Sequence, residues 1–255
     1  MYRDVRPVAE STATASTPEN WAKNFAAQKP LGAWRRRQYA SSPETRLIDR
    51  HIPKGATILD AGSGFGEWVV FLSGRGYRAR GVDYSEELIA RVRATYPDLE
   101  WTHGDIRSLP LETNSVDAVI SWGVIEHDEA GPAKALREFH RVLRPGGSAI
   151  VTVPMNTEIA RKSTEIIHRK AGSEHAFFQY LMSEEELASE AIAAGFEITE
   201  ISSLPSAHLA HAAPRLSLKL SGILYRIANM AVYWLLSWTP RYRVMHYAVL
   251  RKPRQ

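Results

Sequence analysis

Ile58-Leu59-Asp60-Ala61-Gly62-Ser63-Gly64-Phe65-Gly66-Glu67-Trp68 is the stretch that decides the fold of this 255-residue chain. A buried-strand pattern runs into a turn with three alternate glycines, and a helical pattern follows. In open parallel sheets such a strand end is where ligands bind, because glycine lets the backbone come close to a ligand at a helix N-terminus. The spacing is G-x-G-x-G, with Asp60 two residues ahead of the first glycine. That departs from the G-x-G-x-x-G dinucleotide fingerprint. A carboxylate at this point is poorly suited to pyrophosphate and well suited to a cationic amino group.

Outward from this corner, short apolar runs alternate with helical patterns, as in βαβ units around a parallel sheet. Strands are expected at 57–61, 79–83, 99–103, 116–121, 148–153, 196–201 and 245–250. The helices are marked by their punctuation. One runs from Gly66 to Gly74 or Gly76, and another opens at Ser85-Glu86-Glu87 and closes before Pro97. A third spans 133–143 and stops at Pro145-Gly146-Gly147. The fourth starts on a capping box at Ser183-Glu184-Glu185-Glu186 and ends at Ala194 before Gly195. The fold class is therefore α/β and doubly wound.

Two more acids stand at the ends of the next strands. Asp83 lies about 20 residues beyond the glycines, where a carboxylate can accept from ribose hydroxyls. Asp105 follows the third strand and can accept from an exocyclic amine, with Ile106 as an apolar wall. A single acid at a strand end is often only a helix cap. Three in succession indicate one ligand-binding edge.

The composition permits a sizeable core, with 44% hydrophobic and 24% charged residues. The absence of cysteine excludes a disulfide framework, a thiolate metal site and a cysteine nucleophile, and a cytoplasmic setting is the default expectation. Residues 1–20 read as a flexible leader without a signal-peptide apolar run. Residues 21–255 read as a single domain. The net charge of +4 is unevenly spread, because no Asp or Glu follows Glu200, whereas Arg215, Lys219, Arg226, Arg241, Arg243, Arg251, Lys252 and Arg254 do. A basic terminus on an acidic body suggests contact with an anionic partner or simply a solvated tail.

With these motifs in place, the chain resembles the class I S-adenosylmethionine-dependent methyltransferases, in particular those acting on small molecules, lipids and sugars. ILDAGSGFG is similar to their first motif, GVDYS to the second, and GDIRSLPLETNSVDAVISWGVIEH to the adenine-binding and fourth-strand motifs. LREFHRVLRPGG and SAIVTVP resemble the helix and strand that follow. The resemblance implies a Rossmann-like, mostly parallel seven-stranded sheet with an antiparallel last strand, and S-adenosylmethionine as cofactor. It implies that Asp60, Gly62, Ser63, Gly64 and Gly66 hold the methionine part, Asp83 and Tyr84 the ribose, and Asp105 and Ile106 the adenine. Ser121 and Trp122 would border the methyl group. No N/D-P-P-Y/F motif follows the fourth strand, which argues against base amino groups as acceptors, and no DNA is expected as a partner.

Transfer to a hydroxyl also requires a base, and His127 lies just past the methyl-bearing strand. It is the expected catalytic residue, against the simpler role of closing a loop. Some relatives bind a metal with an acid followed by E-H at this place. Gly123 stands where that first acid would be, so no metal is expected, with His140, His168 and His175 keeping the question open. Lid helices are expected over 21–50, where Trp21, Phe25, Trp34 and Arg35 to Arg37 cluster. Trp34, Phe178 and Tyr180 are the expected acceptor contacts, against plain packing of aromatic residues.

The acceptor is read as an oxygen of a small or lipid-linked molecule, either a glycan intermediate or a quinone-like ring. A non-catalytic adenosylmethionine-binding module and an RNA methyltransferase are the alternatives, and the glycine spacing disfavours a nicotinamide oxidoreductase. A helical insertion is expected at 205–240, before the last strand. Within it, 216–238 carries a wide apolar face interrupted by Lys219, Arg226 and Asn229, which suits an interfacial helix on anionic lipid, or packing over the core, better than a span. The interfacial reading predicts sedimentation with anionic vesicles, weakened by salt and abolished by Trp234→Glu with Leu235→Glu. Wild-type protein that stays in the supernatant at low salt, with a double mutant that unfolds, contradicts it.

Overall fold

A computed structural model of the chain describes residues 1–7, 17–162, 165, 175–205 and 243–254. Its elements run β1 (Tyr2–Pro7), α1 (Pro18–Asn24), α2 (Ala33–Ser41), α3 (Pro43–His51), β2 (Thr57–Ala61), α4 (Glu67–Ser73) and β3 (Arg78–Asp83). They continue with α5 (Glu86–Thr95), β4 (Glu100–His103), β5 (Val116–Trp122), a 3-10 turn at Ile125–His127, α6 (Ala133–Val142) and β6 (Leu143–Pro154). The last are β7 (His175–Leu181), α7 (Glu184–Ala193), β8 (Glu197–Pro205) and β9 (Arg243–Arg251).

All seven expected strands form one sheet in the order β4-β3-β2-β5-β6-β9-β8. β2 through β6 pair in parallel, and β9 lies antiparallel between β6 and β8. The fold is thus the doubly wound α/β sheet with an antiparallel last strand. The chain steps outward from β2 to β4 and then returns to place β5 on the other side of β2. The crevice outside the carboxyl ends of β2 and β5 is the topological switch point where such sheets bind ligands.

Both faces of the sheet are buried, as the continuous apolar strands require. Ile58, Ala118, Ile120 and Ile150 meet Leu47 and Ile48 of α3, Val69 and Leu72 of α4, and Ile89 and Val92 of α5. Leu59, Val119, Ala149 and Val151 face the other way, onto Leu136, Phe139 and Val142 of α6 and Leu187 and Ala191 of α7. The predicted caps are present. Ser85 accepts from the Leu88 amide, Ser183 and Glu186 close a reciprocal capping box, and Gly195 sits at φ +94°.

The N-terminus corrects the expected leader. Residues 2–7 form β1, which pairs antiparallel with β7 in a separate two-stranded sheet, and α1 begins at Pro18 on a Thr17 cap. Arg3 forms an ion pair with Glu129 and lies over the Phe177 ring, and Asp4 is buried against Gln179. A polar hexapeptide gives no strand signal by itself when its partner strand, His175–Leu181, lies at the other end of the domain. β6 also begins earlier than expected, at Leu143, and carries Gly146 at φ +77° within it.

The basic terminus is partly structural, since Lys252 donates to Asn114 and to the His140 and Leu143 carbonyls. The expected insertion at 205–240, including 216–238, lies outside the described residues apart from the end of β8. Among the described residues no helix is long and apolar enough to cross a membrane.

Gly66 and Gly55 separate backbone strain from packing. Both have positive φ, +73° and +77°, but a Cβ on Gly66 would run into the Trp101 ring, whereas one on Gly55 meets nothing within 4 Å. Each alanine variant carries the left-handed cost of roughly 1–2 kcal/mol. Gly66→Ala should lose at least about 1 kcal/mol more in urea unfolding because it also overpacks. Equal losses contradict this packing.

Candidate active site

The turn after β2 is held by the end of β3. The amides of Gly62 and Ser63 both donate to the Val82 carbonyl at 2.9 Å, and the Gly64 amide donates to Asp83 Oδ2 at 2.8 Å. The other oxygen of Asp83 accepts from the Ser85 amide at 2.9 Å. Gly62 and Gly64 take φ of +87° and +52°, and both line a cavity of about 720 Å³. That volume falls within the roughly 300–1,000 Å³ usual for ligand sites. The glycines also serve packing, because a Cβ on Gly62 would meet Val124 and one on Gly64 would meet Phe25.

Asp60 and Asp83 are both buried at this edge. Burial, then the neighbouring charge of Asp83, pushes the Asp60 carboxyl up to about 8. Burial likewise raises Asp83, against the Ser85 and Gly64 amides that favour its charged form. Two buried carboxyls held above their ordinary range form a site that gains by accepting a cation. This, with the open glycine corner, fits a ligand bearing an ammonium group and vicinal hydroxyls. Asp60 and Ser63 lie behind the cavity wall, and Asp83 and Tyr84 line it.

At the far end of the cavity, Asp105 and Ile106 line the wall as expected, but the Asp105 carboxylate is engaged. Arg107 grips both its oxygens, with Nε 2.9 Å from each, and reaches Asp128 at 3.4 Å. The Arg107 pair holds Asp105 below its ordinary range despite partial burial. Ser121 does not line the cavity. Its hydroxyl donates to the Ala61 carbonyl at 2.9 Å and fastens β5 to β2. Trp122 does line it, tilted against Trp68 with ring centroids 5.3 Å apart.

His127 is in the cavity wall, on the 3-10 turn after β5. Its Nδ1 lies 2.7 Å from the Phe178 carbonyl. A carbonyl can only accept, so Nδ1 carries the proton and Nε2 is the basic nitrogen. Edge contacts from Trp21 and Phe178, each with centroids 5.1 Å away, fix the ring. The neighbouring Glu126 is 2% exposed, and burial pushes its carboxyl up to about 8.

Over 21–50, where lid helices are expected, the chain forms helices, α1 to α3. Trp21, Asn24, Phe25 and Gln28 line the cavity, whereas Trp34 does not. These helices are tied to the glycine turn through Glu67, the first residue of α4. Gln28 donates to Glu67 at 2.6 Å, Tyr39 donates at 3.1 Å, and Arg35 pairs with it at 2.5 Å. Phe178 and Tyr180 are absent from the lining, and Gln179 is there instead, as alternation along a strand allows. Sequence reasoning missed Trp68, Glu126, Leu204 and Met245. Glu126 stood beside the selected histidine, but nothing local showed that it would be buried. Among the described residues no three His, Asp or Glu side chains are placed to hold a metal ion. His140 packs on Phe196, and His168 lies outside the described residues.

Residues 59–151 match the sequence family described as "Methyltransferase domain". A probable S-adenosylmethionine-dependent methyltransferase of Mycolicibacterium smegmatis is 41% identical over 106 residues, which are 41% of this chain and 40% of that protein. A demethylmenaquinone methyltransferase of Chlorobaculum tepidum is 34% identical over 118 residues, 46% of this chain and 47% of that one. The matched part thus spans less than half of each relative. Among solved structures, a methyltransferase in complex with the Haloferax volcanii Trm112 methyltransferase activator superposes with a TM-score of 0.63 at 20% identity, covering 94% of this chain and 99% of that chain. The [4+2]-cyclase SpnF superposes at 0.61 with 19% identity, covering 100% and 99%. At such identities the superpositions speak for the fold alone.

Proposed function

We propose that this chain, built on a class I S-adenosylmethionine-dependent methyltransferase domain, transfers the methyl group to a hydroxyl oxygen of a small or lipid-linked acceptor carrying a flat ring. The observation that carries this reading is His127, whose Nδ1–H is spent on the Phe178 carbonyl and whose ring stands in the cavity wall. Adenosylmethionine, when bound, supplies an activated methyl group on a sulfonium. Asp83 and the glycine turn would hold its polar parts, with Asp60 behind them as a buried counter-charge, and Ile106 would lie along its purine. The protein's task is then to align an acceptor oxygen, exclude water and take up a proton.

The rest of the cavity supports a ring rather than a charged sugar phosphate. Trp21, Trp68, Trp122, Pro154, Leu204 and Met245 provide aromatic and apolar walls, and Arg107, the one Arg or Lys among the lining residues described, is paired with Asp105. The demethylmenaquinone methyltransferase relative is named for a quinone-type ring, which bears on the ring and not on the atom that is methylated. Leu204 and Met245 also bracket the chain around 216–238.

Methyl-labelled adenosylmethionine offered with quinols, phenols and sugars should label a ring hydroxyl. His127→Ala should then lower turnover by about 10²–10⁴-fold while leaving cofactor affinity nearly unchanged. Label found on carbon or nitrogen, or turnover in the variant within about threefold of wild type, contradicts the reading.

A further inference from the structure

Glu126 is the one cavity-lining carboxyl that is fully buried and still has an oxygen, Oε2, without a hydrogen-bond partner among the described residues. Its other oxygen, Oε1, lies 4.0 Å from Nε2 of His127, the basic nitrogen. A buried polar atom left unsatisfied costs folding free energy, and such atoms call for a functional account. We propose that Glu126 is the positioning residue of the base, an anion set beside Nε2 that stabilises the imidazolium formed when His127 takes the acceptor's proton. This rests on the reading of His127 given above.

The charge balance explains why the carboxyl is placed there. As the acceptor oxygen bonds the methyl carbon in place of sulfur, its proton passes to Nε2 of His127. One positive charge disappears at sulfur and another appears on the imidazole, with Glu126 as counter-ion. Burial keeps the Glu126 carboxyl protonated near neutral pH while no cation is near. A sulfonium entering the cavity favours the ionised form, and the proton leaves to solvent.

Few other charges compete for this role. From β7, which packs on the turn, come His175 at its start and Tyr180, whose hydroxyl donates to the Glu129 carbonyl. β6 offers only Arg144, paired with Asp117 at the other end of the strand. α1 carries Glu19 and Lys23. Around the cavity stand Glu44, Asp83, Asp105, Arg107 and Asp128, and Arg107 is bonded to the last two acids.

The test is an NMR titration of the His127 imidazole in the full chain saturated with adenosylmethionine, compared with Glu126→Gln. It needs no acceptor, so it stands or falls separately from the methyl-transfer reading. The His127 titration should move down by about one pH unit or more in the variant, because an opposite charge within 4–6 Å is lost. An unmoved midpoint in a folded variant overturns the proposal. If Glu126→Gln does not fold, the carboxyl carbon of Glu126 in wild type is followed instead. It should show an inflection at the His127 midpoint, and its absence overturns the proposal equally.

Discussion

The end of β3 holds the site together through two acceptors. The Val82 carbonyl takes the amides of Gly62 and Ser63, and the Asp83 carboxylate takes those of Gly64 and Ser85. These bonds give a turn of alternate glycines one conformation, although glycine has the most freedom to lose. They also fix the start of α4, so the helix N-terminus and the carboxylates meet at the switch point. Gly62 and Gly64 face the cavity because β3, next to β2 in the sheet, closes the turn from below.

The N-terminal helices depend on the same corner. Glu67 follows the last glycine directly, and its carboxylate at a helix N-terminus is favoured by the helix dipole. Burial raises it nonetheless, and Arg35, Tyr39 and Gln28 act against that rise. Burial first, and the Glu67 charge second, hold the Tyr39 phenol strongly protonated, so it remains a donor. Phe25 rests over Gly64 while Arg91 donates to the Phe25 and Ala26 carbonyls. The glycine turn and the N-terminal helices therefore form one packed unit, and Trp21 of α1 reaches the His127 ring.

What could be read in the sequence was local. The Ser85 and Ser183 caps bond amides three residues on, and the strand-glycine-helix corner and the acids at successive strand ends are marked by their own neighbours in the chain, although Gly64 and Asp83 meet across 19 residues. What could not be read was set by distant partners. β1 is a strand only because β7 pairs with it, and Arg107, two residues from the Asp105 it grips, also reaches Asp128 across 21 residues. Phe178 was selected for its ring, yet its carbonyl orients His127 while Gln179 faces the cavity. Ser121 was placed by the methyl group, but its hydroxyl is used to join β5 to β2.

Buried carboxyls at this sheet edge suit a cationic, adenosine-bearing ligand. Calorimetry of adenosylmethionine binding near pH 6.5–7, in buffers of different ionisation enthalpy, tests it directly. The ligand's α-amino group, with an ordinary pKa of about 7.7–8.0, is already protonated there. Asp60, behind the cavity wall and pushed up to about 8 in the protein alone, ionises as that cation comes near. The account predicts saturable binding with net proton release that shrinks in Asp60→Asn, and no comparable binding of NAD. Binding without proton exchange, or a preference for NAD, would contradict it.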